Sequence, residues 1–149
     1  MPRPICAVIH QDALQHNLNI AKQYAPQSKV FAVVKANAYG HGVERVYDAF
    51  KSADGFALLD LDEAKRLRQL GWTGEILLLE GIVSAQDLQV CLDLNLSFTI
   101  HSTHQIEWLA EFSQPAQFDV YLKMNSGMNR LGFPPEQYRA AWEKLNQLN

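Results

Sequence analysis

Several things are scarce in this chain of 149 residues, and each scarcity closes off a class of protein. Cysteine is limited to Cys6 and Cys91, far apart and in no Cys-x-x-Cys pair, so neither a disulfide framework nor a thiolate metal site is encoded. Both cysteines read as small buried hydrophobes. The longest apolar runs, such as Ile76 to Leu79, fall far short of the ~20 residues that cross a bilayer, so no membrane span is expected. Met1 to Ile5 holds one Arg and two Pro without an apolar stretch, which predicts no secretory signal and a cytoplasmic protein. Cationic excess is also missing. The 13 Lys and Arg are scattered against 16 Asp and Glu, for a net charge of -3, which argues against nucleic acid as a partner. The composition, 48% hydrophobic and 19% charged, is that of an ordinary globular protein. At this length one core buries roughly 70% of the unfolded chain's surface, so residues 1–149 read as a single domain.

What is present is a recurring unit: a short apolar or β-branched run, then a stretch with helical spacing, every ~20 to 25 residues, the alternation of a parallel sheet. Five strands are predicted: Lys29 to Lys35, Gly55 to Leu59, Ile76 to Leu79, Ser97 to Ile100 and Phe118 to Lys123. The intervening helices show apolar faces, among them Val43, Val46, Tyr47 and Phe50, then Ala64, Leu67 and Leu70 after a capping-box start at Asp60 and Glu63. Ser84 is expected to cap the helix carrying Leu88 and Cys91, and Ser102 or Thr103 the helix carrying Ile106, Leu109 and Ala110. Pro134 and Pro135 open a last helix through Tyr138, Ala141, Trp142 and Leu145. Upstream, Ile5 to His10 reads as one more strand, and Asp12 as the cap of a helix with Leu14, Leu18 and Ala21 on its core side.

Successive βα units build either an open doubly wound sheet or a (β/α)8 barrel. The first βα junction, KANAYGHG, lacks the glycine order of a dinucleotide fingerprint, which weakens the first option. A complete barrel takes ~250 residues, so the second makes this chain a partial barrel of about five units. Such a half-ring exposes apolar strand edges, which predicts self-association.

In both architectures ligands gather at the carboxyl ends of the strands. Lys35 and Lys123 each close an apolar strand just before a glycine-bearing loop. Burial lowers a lysine pKa and makes the amine a nucleophile or Schiff-base former, whereas many strand-end lysines simply snorkel to solvent. The loop after Lys35, with Asn37, Tyr39, Gly40, His41 and Gly42, suits close approach to a phosphate. It equally suits a tight turn in which Tyr39 packs. His16, His41, His101 and His104 stand in no carboxylate or cysteine constellation, so no metal site is expected.

Ala32 to Gly42, AVVKANAYGHG, resembles the pyridoxal-phosphate (PLP) attachment motif of alanine racemases, and Tyr121 to Phe133, YLKMNSGMNRLGF, is similar to a later active-site block of that family. Asp54 to Gly81, and RPICAVI with DALQHNL near the start, carry the likeness across essentially the whole chain, most like the catabolic branch. The resemblance implies a fold-type III PLP enzyme, here the N-terminal part of its (β/α)8 barrel without the family's C-terminal β-domain. It implies that Lys35 joins PLP through a Schiff base and serves as one catalytic base, and that Tyr39 reaches the cofactor phosphate. It further implies that Lys123 is a carbamylated lysine, that Arg130 binds this carbamate and the cofactor's phenolic oxygen, and that the Met128 amide lies near the substrate carboxylate. The expected substrate is alanine, interconverted between its L and D forms for D-alanine supply or breakdown, in a homodimer.

The family's opposite base is a tyrosine from the second subunit's β-domain, and an arginine from a later strand meets the pyridine nitrogen. Neither belongs to these residues, so residues 1–149 alone are expected to be inactive. The family usually has an acidic residue after the first apolar segment, in an I-D-x-x-A-L pattern; here His10 and Gln11 follow Ile9, in a segment that is structural in the family. Two other readings compete: a PLP-binding barrel protein that does not racemise, against which the carbamate and arginine pair argues, and a structural or interaction module.

Overall fold

The computed structural model describes residues 3–148. Its centre is a five-stranded sheet in the order β1-β2-β3-β4-β5, with every neighbouring pair parallel. The strands are β1 (Phe31–Val33), β2 (Gly55–Leu58), β3 (Glu75–Leu78), β4 (Ser97–Ile100) and β5 (Val120–Leu122). Spatial order equals chain order, so each crossover advances by one strand in the same direction, as in a barrel and unlike a doubly wound sheet. The chain is thus an α/β partial barrel. Around the sheet run α1 (Gln11–Tyr24), α3 (Val43–Phe50), α4 (Leu61–Gln69), α5 (Asp87–Asp93), α6 (Thr103–Glu111) and α7 (Pro135–Asn146). A further single turn, α2 (Lys35–Tyr39), follows β1.

Strand alternation separates two faces. Ala32, Phe56, Leu58, Ile76, Leu78, Phe98 and Ile100 point to the helix side and are all buried. There Phe56 meets the Trp72 ring edge-on at 4.8 Å and stacks on Tyr47. The other face is concave, and a polar stitch crosses it: Glu75 Oε1 accepts from Ser97 Oγ at 3.1 Å and from the Tyr121 hydroxyl at 2.8 Å, joining β3, β4 and β5. The bond to Glu75, with partial burial and the negative charge of Glu75, pushes the Tyr121 phenol above its ordinary pKa. Phe31 lies over Gly55 on this face, so a Cβ at Gly55 would sit 2.4 Å from the ring. At the β1 edge, Val33 is 41% exposed.

Several local expectations are corrected. Ile5 to His10 forms no strand, and Cys6 on it is exposed, while Cys91 is buried. Burial, with Asp87 nearby, pushes the Cys91 thiol up to about 12. Asp12 lies inside α1; the N-cap is His10, whose side chain makes no capping bond. The helix therefore starts without the oxygen acceptor that an aspartate would bring. Leu18 is buried as expected, but Ala21 and Ala110 face solvent. Asp60 does cap α4, accepting from the Asp62 N–H at 2.7 Å, but Glu63 does not close the box. The α5 start is closed by Asp87, which accepts from the N–H groups of Val83 and Ser84, rather than by Ser84. Ser102 stands at the N-cap of α6 without a side-chain bond; Gln105 Oε1 instead takes the His101 N–H at 2.8 Å.

Candidate active site

The sheet places Lys35 and Lys123 at the same end, the carboxyl rim, on its two outermost strands. Both are half-buried. An eight-stranded ring sets its first and fifth strands half a turn apart, so closure of the ring would put these lysines on facing walls of its mouth. The ion pairs among the described residues engage Lys51, Lys65, Arg66, His104 and Arg139, and leave both amines free.

The turn that starts at Lys35 is left-handed. Ala36, Asn37, Ala38 and Tyr39 have φ of 51°, 54°, 54° and 55°, with ψ near the left-handed α value for the first three. This conformation costs roughly 1–2 kcal/mol for each non-glycine residue, because Cβ crowds the carbonyl oxygen. Of the four, asparagine tolerates it best. The sequence read this stretch as a glycine-permitted loop; the left-handed residues come before Gly40 and Gly42, and both glycines continue with positive φ. Reverse handedness swings Tyr39 out over the rim, 60% exposed, while Ala38 anchors the turn in the core.

Hydrogen bonds offset the strain. The Ala38 N–H donates to Val34 O at 2.7 Å, that of Gly40 to Ala36 O at 3.0 Å and that of Gly42 to Asn37 O at 2.8 Å. His41 Nδ1 lies 2.7 Å from Ala38 O. Asn37 is gripped from outside: its N–H donates to Glu63 Oε1, and its Oδ1 accepts from the Val43 N–H at 3.1 Å and from Arg66 Nη2 at 2.9 Å. Arg66 is held in turn by Glu44, Nε to Oε1 at 2.8 Å and Nη2 to Oε2 at 2.7 Å. The guanidinium keeps the Glu44 carboxyl below its ordinary range.

Lys123 directly follows β5 and opens a closed loop. Its N–H donates to Ile100 O at 2.8 Å, and its carbonyl accepts from the Phe133 N–H at 2.9 Å, so the nine residues between leave and return at one point. Asn125 Oδ1 receives the N–H groups of Gly127 and Asn129, and its amide nitrogen donates to Asn129 Oδ1. Gly132 is required there, since a Cβ would meet the Asn125 nitrogen at 2.7 Å. Met128, 78% exposed, and Arg130, also exposed, ride on this loop. Arg130 joins no ion pair with a described residue.

Continuing the β4–β5 register by one residue sets His101 beside Lys123 on the rim. The His101 ring is committed elsewhere, with Nε2 3.0 Å from Glu80 O. Two clefts lie away from the rim, one of about 200 Å³ at the amino ends of β3 to β5 and one of about 580 Å³ between β5, α6 and α7. Five strands leave the rim open; enclosure there needs a full ring.

The sequence reading gives Glu63 only a capping role and gives Arg66 and Glu44 none. The available signal was the placement of Glu63 and Arg66 at i and i+3, one flank of α4. Among the described residues no group of three or more His, Cys, Asp or Glu is arranged to hold a metal, and no helix is long and apolar enough to cross a membrane.

Residues 9–149 match the family described as "Alanine racemase, N-terminal domain". Over 148 residues the chain is 70% identical to an alanine racemase of Acinetobacter baumannii (strain SDF), and 60% identical to one of Paracidovorax citrulli; each match covers 99% of this chain and 40% of the relative. In structure it resembles the biosynthetic alanine racemase of Pseudomonas aeruginosa, at TM-score 0.86 and 42% identity, over 91% of this chain and 38% of that one. A histidine racemase from Leuconostoc mesenteroides shares the fold at TM-score 0.83 and 28% identity, over 93% of this chain and 38% of that one. The chain therefore spans about 40% of the length of the curated relatives it matches, and by the match over residues 9–149 it belongs to the alanine racemase N-terminal domain family.

Proposed function

We propose that residues 1–149 form one domain, the PLP-holding half of a racemase barrel, and that the polypeptide carrying them interconverts L-alanine and D-alanine, serving D-alanine supply or breakdown for peptidoglycan. The observation that carries this reading is the left-handed turn that starts at Lys35 and presents Tyr39 at its far end. PLP has an aldehyde and a phosphate arm. A primary amine outside every described ion pair and an exposed phenol, on one rigid turn at a barrel rim, fit those two ends.

In this reading Lys35 holds the cofactor, Tyr39 reaches its phosphate and Arg130 its phenolic oxygen. PLP, when bound, supplies the electron sink that lets the Cα proton leave. Lys35 Nζ delivers a proton to Cα on the face that yields D-alanine and removes it in the reverse direction, as an acid-base group must from within hydrogen-bond reach. Carbon dioxide adds to the Lys123 amine, which gives up a proton to water and becomes a carbamate anion. Arg130 then neutralises it, since a guanidinium offers paired donors and keeps its charge. The Met128 N–H lies near the substrate carboxylate. By family resemblance the base on the other face comes from a second subunit, so a homodimer is required and residues 1–149 alone do not racemise. Nucleic acid and membrane are not partners, and the protein works in the cytoplasm.

The test is chiral analysis of product. The natural polypeptide with PLP and L-alanine accumulates D-alanine, and Lys35→Ala lowers kcat by roughly 10²–10⁴-fold. Faster conversion of L-histidine than of L-alanine would reassign the substrate. Undiminished turnover in Lys35→Ala would refute the role of Lys35, and comparable turnover by residues 1–149 alone would refute the half-site reading.

A further inference from the structure

Two unusual features converge beside Lys35. One is the left-handed turn, four successive residues in a backbone conformation that L side chains disfavour. The other is Glu63 Oε2, the one buried side-chain oxygen or nitrogen without a hydrogen-bond partner among the described residues. Its sister oxygen accepts the N–H of Asn37 from inside the turn. An orphaned buried oxygen is normally selected against, so a demand other than stability keeps the carboxylate there.

That demand is legible in the wiring. Glu63 and Arg66 stand one turn apart on α4 and seize the same residue, Glu63 by the main-chain N–H and Arg66 by the side-chain oxygen of Asn37. Asn37 lies midway between Lys35 and Tyr39. Glu44 on α3 takes two of the Arg66 nitrogens, which fixes the guanidinium plane and aims Nη2 at Asn37. A lysine at position 66 has a single point of charge and cannot bond both partners in this geometry.

We propose that Glu63 and Arg66 are positioning residues, a clamp from α4 that holds the left-handed turn so that the Lys35 amine and the Tyr39 hydroxyl keep the separation and direction a phosphate-bearing aldehyde requires. This rests on the PLP reading above. The clamp touches neither cofactor nor substrate and acts through Asn37. With it released, the turn relaxes toward right-handed or extended conformations, and the two ends lose their fixed relation.

The test uses the natural polypeptide reconstituted with PLP, with visible circular dichroism of the bound cofactor, its release rate and thermal melting as readouts. Glu63→Ala and Arg66→Lys should change the dichroism and release PLP roughly tenfold to a hundredfold faster. Glu63→Gln keeps an acceptor for the Asn37 N–H and should restore most of the retention lost in Glu63→Ala. Arg68→Lys is the control for general destabilisation: Arg68 lies on the same helix but donates to the carbonyls of Trp72, Gly74, Leu94 and Asn95. It should lower the melting temperature and leave the dichroism unchanged. Wild-type dichroism and retention in both clamp variants would overturn the clamp alone. A dichroism change in Arg68→Lys equal to that in Arg66→Lys would also overturn it, as ordinary loss of stability. Failure of the unsubstituted protein to bind PLP at Lys35 would overturn the clamp together with the reading beneath it.

Discussion

The main-chain N–H of Asn37 donates to the carboxylate of Glu63. Through that bond a turn two residues beyond the end of β1 is fastened to a helix that follows β2, so the rim of one βα unit is shaped by the next. The shape of the Ala32 to Gly42 segment is thus set by two adjacent units rather than by its own eleven residues.

A comparable fastening holds the rim loop after β3. Gln105, 1% exposed, donates from Nε2 to Ile82 O at 2.9 Å while its Oε1 accepts the His101 N–H. Gln105→Leu strands both groups and is expected to destabilise by about 2–4 kcal/mol, read from urea unfolding. A loss under half a kcal/mol would show that water replaces the amide.

Gly81 has φ of 72°, and a Cβ there would lie 2.0 Å from Thr99 O. Gly81→Ala meets both a backbone and a packing conflict, so a loss of about 3 kcal/mol or more is expected, or failure to accumulate as folded protein. A melting temperature within a degree or two of the parent would contradict the packing described.

The two thiols should behave oppositely. Cys91 is buried with its pKa pushed up to about 12, while Cys6 is exposed. Iodoacetamide at neutral pH should label Cys6 alone in the native protein and both after denaturation, because only thiolate reacts. Rapid native labelling of Cys91 would place it at a surface.

Acid and alkali should strip different bonds. Glu44 titrates below its ordinary value because Arg66 bonds it, so its contribution is complete above the normal carboxylate range and fades as pH falls through the lowered value. Tyr121 titrates above its ordinary 10.0, so its contribution is complete below that value and fades as pH rises past it. Both groups are largely solvent-accessible, and the effects are small. Tyr121→Phe should flatten the alkaline limb of stability against pH and leave the acid limb alone; an unchanged alkaline limb would remove Tyr121 from the account.

The sequence conveyed the fold well because apolar runs at βα spacing leave few arrangements. Ser97 to Ile100 is a strand with the bounds that its composition predicts, and the one-step strand order is what right-handed crossovers give when every connection advances in the same direction, as in a barrel. It conveyed the rim lysines, because strand ends are where ligands gather. It did not convey the handedness of α2. Ala36 and Ala38 are good right-handed helix formers, and nothing local announces that contacts from Glu63 and Arg66 reverse them. Glu63 itself was misread because a capping box and a long-range acceptor look identical at i+3 from an aspartate. The Ile5 to His10 segment is an apolar run like a strand, but no neighbouring strand pairs with it among the described residues.

The most direct measurement is borohydride reduction of the natural polypeptide after incubation with PLP, followed by peptide mapping. The account predicts one pyridoxyl group per chain, on Lys35, with labelling abolished in Lys35→Ala. Equal labelling spread over Lys29, Lys51, Lys123 and other lysines, or full labelling in Lys35→Ala, would contradict it.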